Sequence, residues 1–102
     1  MRAYISGAIS GTEDYMERFQ EAEDKLKKQG IQVVNPTKFN GLLPQDLTYE
    51  EYMKLDFTLI DMCGCIYMMK GWEYSPGASR ELSYAGAKKY EVLFEDGTEE
   101  TA

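Results

Sequence analysis

Residues 64–82, GCIYMMKGWEYSPGASREL, decide the fold of this chain. The apolar run Gly64–Met69 is typical of a strand that is buried on both faces of a sheet. Residues 70–76 (KGWEYSP) follow as a loop, in which Ser75-Pro76 provides an N-cap and then proline at the first helical position. The stretch therefore predicts a strand, a loop and then a helix that runs to about Lys89.

Strands and helices alternate on both sides of this stretch. The spacing of Tyr15, Phe19, Ala22 and Leu26 is typical of an amphipathic helix. A capping box formed by Thr48 and Glu51 predicts where another helix begins. The predicted strands are residues 3–7, 31–34, 64–69 and 90–94, the predicted helices are 12–29, 48–61 and 76–89, and 36–47 is predicted to be a loop.

This order predicts an α/β fold with three layers, flavodoxin-like or Rossmann-like, with a parallel sheet and three main helices. The best strand order is about 2-1-3-4, in which ligands bind at the carboxyl ends of the first and third strands. Ser6–Thr12 and Lys70–Ser79 lie at those ends. We expect one domain over residues 1–94, followed by an acidic tail over 95–102.

Composition narrows the function classes. A net charge of −7 argues against binding of a nucleic-acid polymer, although one nucleotide can bind through backbone N–H groups. The sequence shows no signal peptide and no membrane-spanning run, so we expect a cytoplasmic protein without a membrane partner. There is no histidine, and Cys63 and Cys65 are interpreted as two buried residues on one face of a strand. We therefore expect no metal and no cofactor, and the chemistry must come from carboxylates, hydroxyls and backbone amides.

Glu81 is the first candidate for that chemistry. It lies on or beside the apolar stripe of the third helix, near Ala78 and Ala85, where a bare charge is costly. Its position near the helix start favours the anion, and therefore a nucleophile. The alternative is a structural glutamate that is paired with Arg2, Arg80 or a lysine.

Further candidates lie on three other segments. Asp56 interrupts the apolar face of the second helix, where the alternative is a structural aspartate tied to a backbone amide or a tyrosine. Tyr4 is close to the end of the first strand, where it is either a site residue or part of the core. Trp72 and Tyr74 either stack on a base or cover the sheet edge, and the loop 6–12 either binds an anion or is a plain turn.

Three segments together resemble the nucleoside 2-deoxyribosyltransferase-like superfamily. They are Tyr4–Gly11 (YISGAISG), Asp56 in its helix, and residues 71–81, which follow the pattern Gly-Trp-Glu-x-Ser-x-Gly-Ala-x-x-Glu. The resemblance extends from residue 3 to about 94. It is closest to a small, largely uncharacterised bacterial and phage branch (DUF4406-like), and the superfamily also contains the 2′-deoxynucleoside 5′-phosphate N-hydrolases.

The resemblance assigns roles to individual residues. Glu81 would be the nucleophile that attacks the anomeric carbon of a deoxyribose. Asp56 would be the acidic residue near the base and sugar, and Tyr4 would orient the nucleophile. The implied substrate-binding residues are Gly7, Ile9 and Ser10 for the sugar or phosphate, and Ser75 and Gly77 for the phosphate or sugar at the third helix.

The implied function is cleavage or transfer at the N-glycosidic bond of a nucleoside or nucleoside 5′-phosphate. The alternative is a non-catalytic nucleotide-binding protein that senses or sequesters its ligand. Two positions depart from the superfamily pattern: Ala78 stands where catalytic members often have threonine, and Gly64 where many relatives have aspartate. One-domain relatives usually associate and the chain has eight tyrosines, so we also expect a homodimer or a larger assembly.

Overall fold

Four strands alternate with three α-helices along the chain. The computed structural model describes residues 1–9, 11 and 13–95. In chain order the elements are β1 (Arg2–Ser6), α1 (Tyr15–Lys28), β2 (Gln32–Val34), α2 (Tyr49–Cys63), β3 (Cys65–Met68), α3 (Pro76–Ala87) and β4 (Glu91–Phe94). Two 3-10 helices, Pro36–Leu42 and Trp72–Tyr74, lie before α2 and α3.

The strands form one parallel sheet in the order β2-β1-β3-β4. Tyr4 of the central strand β1 is paired with Val34 of β2 and with Ile66 of β3. Helix α1 packs on one face, and α2 and α3 pack on the other. The predicted α/β fold and strand order are therefore confirmed, and the change of direction between β1 and β3 leaves a crevice at their carboxyl ends.

Strand alternation divides the core into two clusters. Ala3 and Ile5 of β1 belong to the cluster beneath α1, whereas Tyr4 belongs to the cluster beneath α2 and α3. Successive side chains of a strand point to opposite faces, so Ser6 lies on the same face as Tyr4. Every residue of β3 is buried, as its apolar sequence predicts.

The predicted starts of α2 and α3 are present, whereas α1 begins at Tyr15, three residues later than predicted. The Thr48 hydroxyl accepts the N–H of Glu51, and the Glu51 carboxylate accepts the N–H of Thr48. At α3 the Ser75 hydroxyl accepts the N–H of Ala78 at 3.1 Å, and Pro76 occupies the first turn. These caps fix where α2 and α3 begin relative to the sheet.

The structure corrects two details of the sequence interpretation. Cys63 ends α2 and Gly64 turns the chain with a φ of 71°, so the two cysteines do not share a strand face. Cys65 is buried on the α1 side, and Cys63 is half-buried on the other. The predicted loop after β2 contains a 3-10 helix, because the Asn35 side chain caps it through the N–H of Thr37.

The predicted acidic tail lies outside the described residues from position 96 onward. Glu95 is described, and it continues the edge of β4: its N–H donates to the Met68 carbonyl and its carboxylate accepts the N–H of Lys70. Within the described ranges, no helix has the length and apolar character needed to cross a bilayer.

Candidate active site

A buried carboxylate, Glu81, lies at the centre of the site. Its side chain is 5% exposed in the middle of α3, above the carboxyl end of β1. The Tyr4 hydroxyl donates to its Oε2 at 2.8 Å, and the Ser6 hydroxyl donates to its Oε1 at 2.6 Å. Tyr4 and Ser6 are at positions i and i+2 of β1, and such side chains point to the same face of a strand. Both hydroxyls therefore lie on one face of β1. The strand therefore fixes both oxygens of this carboxylate.

Asp56 of α2 is the second carboxyl group of the site. It is half-buried, and it interacts with both Glu81 and Tyr4. The residues Tyr4, Asp56 and Glu81 come from three different elements, so their convergence is a property of the tertiary fold. The roles that the resemblance implies for Tyr4, Asp56 and Glu81 require the three side chains to lie close together, and the fold brings them together.

The environment favours the protonated form of Glu81. Burial is the main reason, together with the hydrogen bond and the negative charge of Asp56, and these raise the pKa of Glu81 to about 8. The hydroxyls of Ser6 and Tyr4 act in the opposite direction, because they stabilise the anion. Burial also raises the pKa of Asp56. Two interacting carboxyl groups in such a site titrate as a pair, and near neutral pH they share one proton.

This electrostatic state differs from the sequence expectation that the helix start keeps Glu81 ionised. Glu81 is the sixth residue of α3, counted from Pro76. The helix dipole acts mainly within the first turn, so it contributes little at this position. Desolvation and the neighbouring Asp56 carboxyl outweigh it.

The alternative of an ion pair at Glu81 is not observed. Arg80 instead makes two hydrogen bonds to Glu50, at 2.9 and 3.1 Å. Arg2 donates to the Met62 carbonyl at 2.9 Å. Among the described residues, the hydrogen-bond partners of Glu81 are the hydroxyls of Tyr4 and Ser6 and the carboxyl group of Asp56, none of which is a cation.

These residues form the floor of a cleft of about 810 Å³. One wall follows β1 and includes Gly7 and Ile9. A second wall is the start of α3, from Ser75 to Ala78, and a third consists of α2 and the preceding 3-10 helix. The cleft lies at the carboxyl ends of β1 and β3, as the topology predicts.

Most of the predicted site residues line this cleft. The lining includes Tyr4, Asp56 and Glu81, and also Gly7, Ile9, Ser75 and Gly77. Trp72 does not line it. Its ring packs against Phe94, with the ring centroids 6.2 Å apart, so the prediction that Trp72 binds the substrate is corrected: it covers the sheet edge instead. Tyr74 does line the cleft, and Ser10 lies outside the described residues.

The two predicted glycines differ in what the fold requires of them. A Cβ atom at Gly7 would lie 2.9 Å from the sulfur of the buried Met69, so close packing demands glycine there. A Cβ atom at Gly77 would lie 3.7 Å from the Tyr49 hydroxyl and 3.8 Å from the Met53 sulfur, which is ordinary contact distance. The absence of a side chain at Gly77 therefore leaves space in the cleft without being required for packing.

Sequence reasoning missed several residues of the site. Ser6 is the most important, and its position two residues after Tyr4 was a usable signal because both must lie on one face. Tyr52 is one turn before Asp56 on α2, so helical spacing could have identified it as well. Asn40 and Tyr49 reach the cleft from elements whose placement the sequence does not determine.

The architecture is similar to that of a solved protein structure. The structure of a 2-deoxyribosyltransferase from the psychrotolerant bacterium Bacillus psychrosaccharolyticus matches this chain with a TM-score of 0.75 and 18% sequence identity, covering 92% of this chain and 71% of that chain. That enzyme is described as a biocatalyst for the industrial synthesis of antiviral and antitumoral nucleosides. At this identity the similarity establishes a common fold.

The family follows from the sequence itself. Residues 1–94 match the family described as a domain of unknown function (DUF4406), and the chain belongs to that family. No curated protein matches the chain.

Proposed function

We propose that this protein cleaves or transfers at the N-glycosidic bond of a nucleoside or nucleoside 5′-phosphate, with Glu81 as the nucleophile. The observation that supports this proposal best is a buried carboxylate whose two oxygens are held by hydroxyls, beside a second carboxyl group. A structural glutamate at such a depth is normally paired with a cation. The similarity of the fold to a 2-deoxyribosyltransferase is consistent with the proposal.

In the first step, a Glu81 oxygen forms a bond to the anomeric carbon of the sugar. The bond from that carbon to the base nitrogen breaks, and its electron pair stays on the nitrogen. Asp56 supplies the proton that neutralises the departing base. This is the chemistry of a retaining glycosidase, in which one carboxylate is the nucleophile and the other carboxyl group is the acid.

The shared proton of the pair has a role in this step. In the free protein, burial favours the proton on Glu81. As positive charge develops on the sugar beside Glu81, the anion becomes favourable there and the proton moves to Asp56. The same pair of groups then contains both the nucleophile and the acid that the first step needs.

The second step releases the sugar from Glu81. Water or the nitrogen of another base attacks the anomeric carbon, the bond to Glu81 breaks, and Asp56 accepts the proton of the attacking group. Attack by water gives hydrolysis, and attack by a base gives transfer. Tyr4 and Ser6 hold the carboxylate in place throughout and stabilise it when it leaves.

A panel of nucleosides and nucleoside 5′-monophosphates tests the proposal. Incubation should release free base, measured by chromatography, and the Glu81→Gln variant should release none. A 2′-fluorinated substrate analogue should form an adduct on the peptide that contains Glu81, visible by mass spectrometry. Absence of free base across the whole panel would overturn the enzymatic proposal.

One observation favours a second candidate function, a binding protein that senses or sequesters its ligand. The raised pKa of Glu81 leaves this group largely protonated in the free protein at neutral pH, and a protonated carboxyl is a poor nucleophile. A binding protein would show a ligand-dependent rise in melting temperature without any release of base. The Glu81→Gln variant, which mimics the protonated group, would then bind as well as the natural chain.

The assembly is a further part of the proposal. Two exposed aromatic side chains line the cleft, Tyr49 at 52% and Tyr74 at 88% exposed, and Leu42, which ends the 3-10 helix that contains Asn40, is 81% exposed. Aromatic side chains are enriched in interfaces, and a second copy of the chain would remove these groups from water. We therefore expect a homodimer or larger, and light scattering that gives the mass of a single chain would contradict it.

A further inference from the structure

Among the described residues, the charged side chains that line the cleft are both acidic. They are Asp56 and Glu81, and burial raises the pKa of each, with the hydrogen bond and negative charge of Asp56 raising that of Glu81 further. When the pair carries one proton it still has one negative charge. The floor of the cleft is therefore negatively charged near neutral pH unless both carboxyl groups are protonated.

The basic side chains of the protein are directed elsewhere. All eleven lysines and arginines fall within the described ranges, and none of them lines the cleft. The guanidinium of Arg80 lies 5.4 Å from the centre of the Tyr49 ring, which is a lining residue, but both of its hydrogen-bonding nitrogens are on Glu50. The guanidinium of Arg80 is thus already paired with an acid.

At the start of α3, one N–H donor that could suit a phosphate is missing, and two others already have partners. Pro76 has no N–H, and the Ala78 N–H donates to the Ser75 hydroxyl at 3.1 Å. The N–H of Ser79 donates to the Ser75 carbonyl at 2.9 Å. A phosphate that accepted the Ala78 N–H would have to displace the Ser75 cap.

The remaining surface suits an uncharged ligand. Tyr52, Tyr74 and Met53 present aromatic and apolar groups, and Asn40 adds an uncharged amide. Such a surface can stack on a base and cover a sugar without bringing a cation. The cleft therefore combines an apolar wall with a negative floor.

We propose that this cleft selects uncharged nucleosides and discriminates against their 5′-phosphates; this rests on the proposed N-glycosidic function. A nucleoside 5′-phosphate carries about −1.5 to −2 charges near neutral pH, and these face the negative pair across a low-dielectric space. The repulsion should reduce kcat/KM for the phosphate by at least about tenfold relative to the nucleoside with the same base.

Three substrates with one base separate charge from size. They are the nucleoside, its 5′-monophosphate and its 5′-O-acetyl ester, whose substituent is bulky but uncharged. We expect base release in the order nucleoside, acetyl ester, monophosphate, and we expect added salt to reduce the disadvantage of the monophosphate. If the monophosphate is as good a substrate as the nucleoside, or if the acetyl ester is as poor as the monophosphate, the inference is overturned.

A second measurement assigns the effect to the acidic pair. In Glu81→Gln protein, the ratio of the dissociation constants of monophosphate and nucleoside should fall when Asp56→Asn removes the remaining charge. The exposed Glu21 does not line the cleft, so Glu21→Gln in the same background is the matched control and should leave the ratio unchanged. An unchanged ratio in the Asp56→Asn protein contradicts the inference.

The two failures are distinguishable. If neither the nucleoside nor the monophosphate releases base, the proposed function is wrong and this inference fails with it. If both release base and the monophosphate is preferred, the proposed function stands and only the charge selection fails.

Discussion

Two glutamates in this chain are almost equally buried, and their surroundings are opposite. Glu23 of α1 is 3% exposed, and its carboxylate contacts Lys27 at 2.6 Å, Lys38 at 3.0 Å and the Asn35 amide at 3.1 Å. Glu81 of α3 is 5% exposed, and its neighbours are two hydroxyls and another acid. One carboxylate is matched with positive charge, and the other is not.

The pKa values follow from these neighbours. Burial alone would raise the pKa of Glu23, but hydrogen bonds from Lys27, Lys38 and Asn35 outweigh it and lower that pKa to about 2. For Glu81, burial and Asp56 act in the same direction, and the pKa rises to about 8. Burial alone therefore does not raise the pKa of a carboxyl group or make it reactive. The decisive difference between Glu23 and Glu81 is whether a cation lies beside the carboxylate.

The sharpest test of this comparison exchanges each glutamate for glutamine. Glu81→Gln should reduce base release by more than about 10³-fold, because an amide cannot form the bond to the sugar. Glu23→Gln should leave the rate of base release nearly unchanged and lower the free energy of unfolding by about 1–3 kcal/mol, since its charged hydrogen bonds are lost. Steady-state kinetics and urea denaturation of both variants measure these effects. Equal losses of activity in the two variants would contradict the assignment of a catalytic role to Glu81 and a structural role to Glu23.

Asp56→Asn tests whether the negative charge of Asp56 contributes to the raised pKa of Glu81. We expect base release to fall by about 10²–10⁴-fold, because the group that protonates the leaving base is lost. The pKa of Glu81 should also fall, because the asparagine carries no charge. The pH dependence of kcat/KM checks the second effect, and a profile that keeps the same acidic limb would contradict the shared proton.

The dependence of stability on pH should separate the two glutamates. The raised pKa of Glu81 means that the folded protein binds more protons than the unfolded chain between the ordinary value of 4.5 and about 8. Stability therefore falls as the pH rises through this range, by an amount on the order of 1 kcal/mol or more. Glu23 acts oppositely: its contribution is present above pH 4.5 and is lost as the pH falls toward about 2.

Urea denaturation at a series of pH values measures both slopes. Glu81→Gln should flatten the decline above pH 4.5, and Glu23→Gln should flatten the loss in acid. The glutamine at position 81 should also make the protein more stable than the natural chain at alkaline pH, where the latter carries two adjacent carboxylates. A natural chain whose stability is constant from about pH 5 to 8 would contradict the raised pKa of Glu81.

Ser6→Ala gives the smallest expected effect and tests the hydroxyls that replace a cation at Glu81. Loss of the 2.6 Å hydrogen bond should slow base release by about tenfold, the equivalent of about 1.4 kcal/mol, with little change in KM. Ser6→Thr keeps a hydroxyl and should retain more activity than Ser6→Ala. The pKa of Glu81 should rise further in Ser6→Ala, because the Ser6 hydroxyl stabilises the anion. If the pH dependence of kcat/KM is the same in Ser6→Ala, the hydroxyl does not lower the pKa of Glu81.

Sequence alone predicted the fold because its signals are local. The apolar run at β3, the capping box at Thr48 and Glu51, and the Ser75-Pro76 start of α3 each depend on neighbouring residues. It also predicted that Tyr4, Asp56 and Glu81 belong together, through the resemblance and through carboxylates that interrupt apolar stripes. It erred at Cys63, because a single glycine at position 64 ends the helix one residue before the strand begins.

The protonation state of Glu81 could not be predicted in this way. The burial of Glu23 and its pairing with lysines could not be predicted either. Both depend on which side chains arrive from other elements. Lys38 reaches Glu23 from the 3-10 helix after β2, and Asp56 reaches Glu81 from α2. Spacing along one helix shows that a carboxylate is buried, but it does not show what it meets there.

The order of the elements, the parallel sheet and the inward positions of Asp56 and Glu81 could thus be predicted from the sequence. Periodicity and capping are properties of short stretches, so they can be recognised without knowledge of the tertiary structure. The tertiary fold brings lysines to the buried carboxylate of Glu23, and hydroxyls and an acid to that of Glu81. That outcome depends on contacts between residues far apart in the chain, where Coulombic and desolvation effects act through space.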